Sequence, residues 1–396
     1  MTRLPATRLA AAPALAATLL LAGGRALAAQ TPDSAAYVTR LGDDTLAVER
    51  FVRTPTRVEA EVLLRAPRTT VTRYVLELDD AGGMRRLESV TRDPRAAADA
   101  PPARREVVER RGDSLVVTTT AGSAAPASRT VAAAPGTLPF LDMIHWPYEV
   151  ALVRERPAAG RRLDLPLLSG RSVSTFGLEG VSADSVAITH PTRGTMYARL
   201  DAAGRILGLN ASGTTRAVGV ERRPWMEIDA LARRFAAADA AGRSFGALSG
   251  RAEEQETVHG ATITVDYGTP VKRGREIWGA LVPYGRVWRT GANMATHFTT
   301  DRDLLIGELL VPAGRYTLFS LPDAMGGRLI VNRQTGQNGQ QYDEAQDLGR
   351  VPLRRRELAE PVEAFTIDVA ETADGGELRL RWDRTELVAP VRVKAR

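Results

Sequence analysis

Short stretches in which apolar and polar residues alternate, separated by tight turns, recur along most of this chain. In the first half they occupy residues 44–53, 57–65, 72–79, 104–111, 113–120, 185–191, 194–201 and 204–212. Alternation with a period of two is typical of strands that bury one face. Turns such as 79–83 and 201–204 predict hairpins between consecutive strands. We therefore expect a mainly β protein whose first half is an antiparallel meander, bent into a half-barrel or a closed barrel.

One helix is predicted within this β pattern. Pro224 suits a first helical turn, and Ile228 and Phe235 recur at helical spacing. Gly242 can end the helix because glycine tolerates the left-handed conformation that follows a last turn. The pattern predicts a helix over residues 224–241, with its apolar stripe on the preceding sheet.

Three further segments interrupt the strands of the first half. Segments 94–104 and 121–136 are rich in Ala, Pro and Ser, and we interpret them as loops. Segment 137–155 is the most apolar part of the first half, and it predicts a short helix plus a strand that plugs the sheet. Its aromatic residues, among them Phe140 and Trp146, could line a lipid-sized cavity or could form the core of the domain.

A chain of 396 residues is long enough for more than one domain. Periodicity is lost over 240–260, so we predict a first domain over 29–242, a linker over 243–258 and a second domain over 259–396. Candidate strands of the second domain are 261–268, 295–301, 304–312, 315–322, 328–334, 363–371, 376–383 and 387–395. That many short strands joined by glycine-containing turns predict a β-sandwich.

The N-terminus has the pattern of a secretory signal peptide. Arg3 and Arg8 precede an uncharged apolar run over 9–22, and an Ala-x-Ala cleavage site lies at 26–28. We expect cleavage of residues 1–28 and export to the periplasm or the medium; the alternative is an N-terminal membrane anchor. The chain has no cysteine, which excludes a lipoprotein anchor, disulfides and thiolate metal sites. No later stretch is apolar enough to insert stably into a membrane.

Composition and motifs argue against several classes of function. Loss of the signal peptide would lower the net charge from +6 to +3, and no basic stripe with interleaved aromatic residues predicts nucleic-acid binding. The sequence has no His-Glu-x-x-His, no Gly-x-Ser-x-Gly and no glycine-rich phosphate loop ahead of a helix. We therefore expect no metal, no cofactor and no catalytic residue, and a binding protein is favoured over an enzyme.

The stretch "VWRTGANMATHF" at 287–298 is the most unusual part of the second half. Arg289 could hold a carboxylate or sulfate-like group in its planar fork, with hydrogen bonds from Asn293 and Thr296. Tyr284 and Trp288 could be the walls of such a pocket. Arg275 completes the set of predicted ligand-binding residues.

The same residue types also fit a buried corner between two sheets. Gly285, Gly291 and Asn293 would then adopt left-handed backbone conformations. Trp288 would fill the core, and Arg289 would bond to loop carbonyl groups. The sequence leaves both interpretations open.

Longer motifs around this stretch resemble a known family. They are "VDYGTPVKRGREIWGALVPYG" from 265, "VWRTGANMAT" from 287 and "PAGRYTL" from 312. The region from about 257 to 396 resembles the bacterial exported family known as domain of unknown function 2911. The resemblance implies an exported domain but no reaction. It departs from the family at Met294, where many members have glutamate, so any activity that depends on that carboxylate would be absent here.

Three hypotheses for function follow. The first is a binding module for a small molecule, a glycan or an envelope partner at the 287–298 stretch. The second is a carrier of lipid-like ligands through the first domain, whose layout is similar to that of periplasmic half-barrel lipid carriers; it requires a continuous cavity there. The third is a hydrolase of envelope material, which requires an ionisable pair in a cleft.

Overall fold

The computed structural model describes residues 33–97 and 99–394, so the predicted signal peptide at 1–28 lies outside the described residues. The described chain is mainly β, with two α-helices and two large sheets, one in each domain. The predicted fold class is therefore confirmed. Within these residues, neither helix has the length and apolar character that crossing a membrane requires.

The first domain is one meandering sheet of fifteen strands, antiparallel except where β9 pairs parallel with β10. In chain order they are β1 Asp33–Leu41, β2 Asp44–Arg53, β3 Arg57–Leu64, β4 Thr70–Leu78, β5 Met84–Arg92, β6 Arg104–Arg111, β7 Ser114–Ala121, β8 Ala127–Ala132, β9 Leu138–Pro139, β10 Arg162–Ser169, β11 Ser172–Ser182, β12 Ser185–His190, β13 Gly194–Leu200, β14 Ile206–Asn210 and β15 Val218–Arg223. The spatial order runs from β8 through β1, then from β15 through β9. The sheet curls until β8 contacts β11, and it does not close into a barrel.

The predicted plug is α1, Trp146–Arg154, which lies in the hollow of the curled sheet. Trp146 is fully buried there, with Tyr74 and Phe176 in the same core. A carboxylate oxygen of Glu49 accepts the backbone N–H groups of His145 (2.8 Å) and Trp146 (3.1 Å), which compensates the free donors at the start of α1. These aromatic residues therefore form the domain core.

The second helix is shorter than predicted. Helix α2 spans Asp229–Ala240 rather than 224–241, because the segment before Asp229 is held in a non-helical conformation. The Arg50 guanidinium lies 5.3 Å from the Trp225 ring centroid and 2.5 Å from the Glu227 carboxylate. The Trp225 indole N–H also donates to Glu227, at 2.9 Å. Helix α2 packs on the outer face of the sheet, opposite α1, against Val38, Val48 and Leu63.

The second domain contains nine strands. In chain order they are β16 Ser249–Val258, β17 Ala261–Pro270, β18 Thr296–Thr300, β19 Leu304–Ile306, β20 Leu309–Val311, β21 Gly314–Asp323, β22 Gly326–Asn332, β23 Asp347–Thr372 and β24 Gly375–Val393. A 3-10 turn at Glu344–Gln346 precedes β23. The spatial order is β16, β17, β18, β21, β22, β23, β24, β19 and β20.

The predicted linker at 243–258 is wrong in its second part. Residues 249–258 form the edge strand β16, which pairs along its whole length with β17. Because β16 is at the edge, most of its side chains are exposed and polar, and only Val258 is buried. A strand that is polar on both faces has no hydrophobic period, so its sequence resembled a loop.

The long hairpin of β23 and β24 makes the second domain a sandwich. The first part of β23 continues the sheet beyond β22, and the register to β24 shifts between Glu357 and Thr366. Beyond that shift, the hairpin covers β16 and β17. Phe365 and Trp382 of the hairpin share one core with Val265 of β17.

Two long loops of the second domain face the first domain. They are 271–295, between β17 and β18, and 333–346, between β22 and β23. A structureless loop of this length in a compact domain is uncommon and is often functional. At the interface the Arg273 guanidinium lies 4.0 Å from the Phe245 ring centroid, and Gln340 donates to the Thr192 carbonyl oxygen.

Candidate functional site

A cavity of about 980 Å³ lies between the two domains. Its first-domain wall comes from the turns at 190–194 and 212–216. Its second-domain wall comes from loops 271–295 and 333–346. The 287–298 stretch thus forms one side of an interdomain cavity.

The cavity is strongly cationic. Five arginines line it: Arg193 and Arg216 from the first domain, and Arg275, Arg286 and Arg289 from the second. Among the described lining residues there is no aspartate and no glutamate. Buried or half-buried charges are normally paired, so this excess of guanidinium groups requires a physical explanation.

One carboxylate lies behind the first-domain wall. Asp142 accepts Arg193 on one oxygen and Arg216 on the other, each at 2.6 Å. Burial acts to raise the pKa of Asp142, but the two guanidinium groups outweigh it and the pKa is lowered. Asp142 is therefore ionised, and the three groups together keep a positive charge.

Arg289 is the least compensated of the cavity arginines that are partly buried. Its Nε donates to the Gly291 carbonyl oxygen at 3.3 Å, and its terminal nitrogens have no hydrogen-bond partner among the described residues. Burial, followed by repulsion from Arg216 and Arg193, lowers the pKa of Arg289. A bound anion would relieve both effects, since it stabilises the charged form.

The position of the Arg289 side chain depends on Gly339 in loop 333–346. A Cβ atom at Gly339 would lie 2.7 Å from Arg289 Cδ and 3.0 Å from the Asn293 carbonyl oxygen. The backbone of loop 333–346 therefore packs directly on the Arg289 side chain. This contact positions Arg289 without using its charge.

Asn293 and Met294 also reach the cavity. Asn293 has a positive φ of 63°, its side chain is exposed, and that side chain forms no hydrogen bond within the described part of the chain. Its carbonyl oxygen accepts the Gly339 N–H at 3.0 Å. Met294 is 39% exposed and forms a β-bridge with Asn338. The residue that departs from the family pattern thus lies at the cavity wall.

Trp288 and Thr296 belong to the framework of the corner. Trp288 stacks on Trp382, with 6.0 Å between ring centroids, and its backbone exchanges two hydrogen bonds with Ser320, of 2.7 and 2.9 Å. The buried Thr296 hydroxyl donates to the Thr290 carbonyl oxygen at 2.6 Å.

The backbone of the corner agrees with the structural interpretation. Gly285, Gly291 and Asn293 all have positive φ values, of 70°, 148° and 63°. The structural interpretation of the 287–298 stretch therefore holds for Trp288 and Thr296, and ligand binding by Arg289 and Asn293 stays a prediction. Trp288 and Thr296 build the corner, and Arg289 and Asn293 are presented by it to the cavity.

Two of the predicted ligand-binding residues, Arg275 and Tyr284, differ from Arg289 and Asn293 in their contacts. Arg275 lines the cavity but gives N–H groups to three carbonyl oxygens, those of Lys272, Val271 and Arg216. Its bond to Arg216 crosses between the domains, at 3.4 Å. Burial, then Arg273 and Arg216, lowers the pKa of Arg275 to about 10. Tyr284 is absent from the described cavity lining; its ring lies against Gly279.

Sequence reasoning missed the first-domain wall. Arg193 and Arg216 lie in short turns, "HPTRG" and "GTTRA", and arginine is so common in this chain that no single one stands out. His190, in the first of these turns, packs on Phe176 with 4.6 Å between ring centroids. Burial, followed by repulsion from Arg193, lowers the pKa of His190 to about 4, so it is neutral at neutral pH.

The described residues offer little for metal chemistry. Within 33–97 and 99–394, no group of three His, Cys, Asp or Glu lies close enough to hold a metal ion. The buried His297 accepts the Gly336 N–H on Nε2 at 2.8 Å. Asp301 accepts the Thr262 N–H and Asp303 accepts the Ala313 N–H. His297, Asp301 and Asp303 therefore each stabilise a different turn.

Comparisons with known proteins identify the second domain only by family. Residues 249–391 match the family described as protein of unknown function (DUF2911), which confirms the resemblance seen in the sequence. No curated protein matches the chain. Among solved structures, a DUF1089 family protein from Pseudomonas aeruginosa is similar at 11% identity and a TM-score of 0.30, covering 42% of this chain and 90% of that one.

Proposed function

We propose that this chain is an exported binding protein that holds an anionic small ligand in the cavity between its two domains. The observation that carries the proposal is the unbalanced charge of the cavity, with five arginines and no acidic residue among its described lining residues. The signal-peptide pattern supports export, and the absence of cysteine argues against lipidation.

The geometry of Arg289 supports recognition of a carboxylate, sulfate or phosphate group. A guanidinium whose terminal nitrogens are free can form two parallel hydrogen bonds to such an anion. Arg216 and Arg193 are close enough to repel Arg289, so an anion placed between them would be attracted by all three. Binding would replace mutual repulsion by attraction.

The other two hypotheses receive less support. The hollow of the first domain is filled by α1, whose residues Trp146 to Leu152 are all buried, so a lipid would compete with the domain core for this space. A hydrolase that uses a pair of carboxylates has none in the described lining of the cleft.

Isothermal titration of the purified protein with sulfate and with inorganic phosphate tests the proposal. We expect saturable binding, and we expect the Arg289→Ala variant to weaken it by about tenfold or more, because a bidentate charged contact is lost. The matched control is Arg354→Ala, which removes an exposed arginine of β23 outside the cavity. Equal weakening in both variants, or no binding of either anion to the parent protein, would contradict the proposal.

A further inference from the structure

The cavity arginines are divided between the two domains, and this division restricts the ligand. Arg193 and Arg216 project from the first domain, whereas Arg286 and Arg289 project from the second. Asp142 is the only carboxylate paired with any of them in the described structure, and both of its oxygens are occupied. One monovalent anion would therefore leave most of the positive charge uncompensated.

Neutral polar side chains line the same cavity as the arginines. Those that line the cavity and form no side-chain hydrogen bond within the described residues are Ser169, Ser174, Ser212, Thr215, Ser249 and Asn293. Hydroxyl and amide groups can both donate and accept, so they suit a ligand that carries hydroxyl groups of its own. Free neutral donors and acceptors also come from both domains.

The size and apolar surface of the cavity call for more than a single inorganic ion. Its volume of about 980 Å³ lies at the upper end of the range for drug-sized ligands, roughly 300 to 1,000 Å³. Trp288 and Tyr342, which are both partly exposed, contribute aromatic surface to the wall. The C–H faces of a sugar ring can pack on such surfaces while its hydroxyl groups reach the polar side chains.

We infer that the ligand is a hydroxylated polyanion: a saccharide that carries two or more phosphate, sulfate or carboxylate groups and contacts both domains at once. This inference rests on the proposed function, since it specifies the anion that the same cavity holds. Charges on the ligand would meet the arginines of each domain, and the sugar body would lie along the neutral and aromatic wall between them.

Titrations at constant ionic strength test this inference with two series of probes. The first series is glucose, glucose 6-phosphate and fructose 1,6-bisphosphate; the second is galacturonate and trigalacturonate. In at least one series we expect the polyanion to bind about tenfold or more tightly than the sugar with a single anionic group, because it engages arginines of both domains. Glucose should not bind. The series that shows the gain identifies phosphate or carboxylate as the anionic group.

The outcomes separate this inference from the proposed function. If sulfate and phosphate bind but neither polyanion binds more than about threefold more tightly than the sugar with a single anionic group, the inference is wrong and the proposed function stands. If neither simple anion nor any sugar anion binds, both are wrong. A neutral sugar that binds as tightly as its charged counterpart would also overturn the inference.

Variants on opposite walls provide a second readout. Arg193→Gln and Arg286→Gln each remove one charge, from the first and the second domain, and Arg286 is exposed with no side-chain contact to lose within the described residues. We expect each to weaken polyanion binding by about fivefold or more. Arg354→Gln is the control. Unchanged polyanion affinity in both cavity variants would show that the ligand does not span the domains.

Discussion

At the scale of single residues, the 287–298 stretch separates into two groups by what each side chain contacts. The Thr296 hydroxyl donates a hydrogen bond to the Thr290 carbonyl oxygen inside the corner. The Arg289 Nε–H group donates to the Gly291 carbonyl oxygen. The two terminal nitrogens of its guanidinium form no hydrogen bond within the described residues and lie in a cationic cavity. Buried polar residues that stabilise a fold normally have all their hydrogen-bond partners within the protein. Residues that bind a charged ligand carry uncompensated charge when the ligand is absent. The two groups should therefore respond differently to substitution.

Arg289→Ala should leave the ligand-free protein at least as stable as the parent, because burial and neighbouring arginines disfavour its charge. Thr296→Val should lower the free energy of unfolding by about 1 to 2 kcal/mol, because it leaves the buried Thr290 carbonyl oxygen without its partner. Urea denaturation in buffer without multivalent anions measures both. If Arg289→Ala destabilises the protein as much as Thr296→Val does, Arg289 is a structural residue.

His190 should make stability depend on pH in a defined direction. Burial, followed by repulsion from Arg193, lowers the pKa of His190 in the folded protein to about 4, from its ordinary value of 6.5. The contribution of neutral His190 to the free energy of unfolding is fully present above about pH 6.5 and is lost as the pH falls toward 4. In this pH range His190 binds a proton in the unfolded chain but not in the folded protein, so acid favours unfolding.

Melting temperatures of the parent and of His190→Gln, compared at pH 7.5 and pH 4.5, test this expectation. The parent should lose more stability than the variant between the two values. An equal loss in both proteins would show that His190 does not titrate as its surroundings indicate.

At the scale of elements, each helix depends on tertiary contacts to set its start. Glu49 of β2 accepts the first N–H groups of α1 inside the core. Arg50, the next residue of β2, faces outward and holds Trp225 and Glu227 ahead of α2. Adjacent residues of one strand point to opposite faces, so β2 determines where both helices begin.

Glu49→Gln should destabilise the first domain by about 2 to 4 kcal/mol, because charged hydrogen bonds to buried N–H groups are weakened and His145 loses its charged partner. Thermal or urea unfolding measures the loss. Glu59→Gln is the control, since Glu59 of β3 is largely exposed and its arginine partners are at the surface. Similar loss in both variants would mean that the start of α1 does not need a carboxylate.

At the scale of the whole molecule, the site exists only where the two domains meet. Its arginines and its free neutral groups come from both domains. The turn between β1 and β2 contacts loop 271–295 very closely: a Cβ atom at Gly42 would lie 2.2 Å from the Arg273 carbonyl oxygen. That contact makes the geometry of the cavity depend on a glycine of the first domain.

Gly42→Ala should weaken anion binding by displacing loop 271–295 from the first domain. Gly112→Ala is a matched control, because Gly112 has the same φ of 58° and a Cβ atom there meets nothing within 4 Å. Both variants carry the cost of a left-handed alanine, roughly 1 to 2 kcal/mol. Sulfate titrations of the two variants isolate the interdomain contact. Equal affinity in both variants would show that this contact does not shape the site.

The sequence by itself determined the features that depend on neighbouring residues. Period-two alternation revealed most strands of both domains, and the glycines and Asn293 of the 287–298 stretch indicated the positive φ values of its corner. The sequence did not reveal the polar edge strand β16 or the first half of β23. Few of their side chains are buried, and burial of one face is what produces period-two alternation in a strand.

The cavity was decided only by tertiary structure. Arg193 and Arg216 reach Asp142 across 51 and 74 residues of chain, and Arg289 approaches both from the other domain. Nothing in the local pattern distinguishes these arginines from the others, since every arginine carries the same charge. Whether that charge is compensated depends on which residues folding brings close to it, and this is what separates a binding residue from a solvated one.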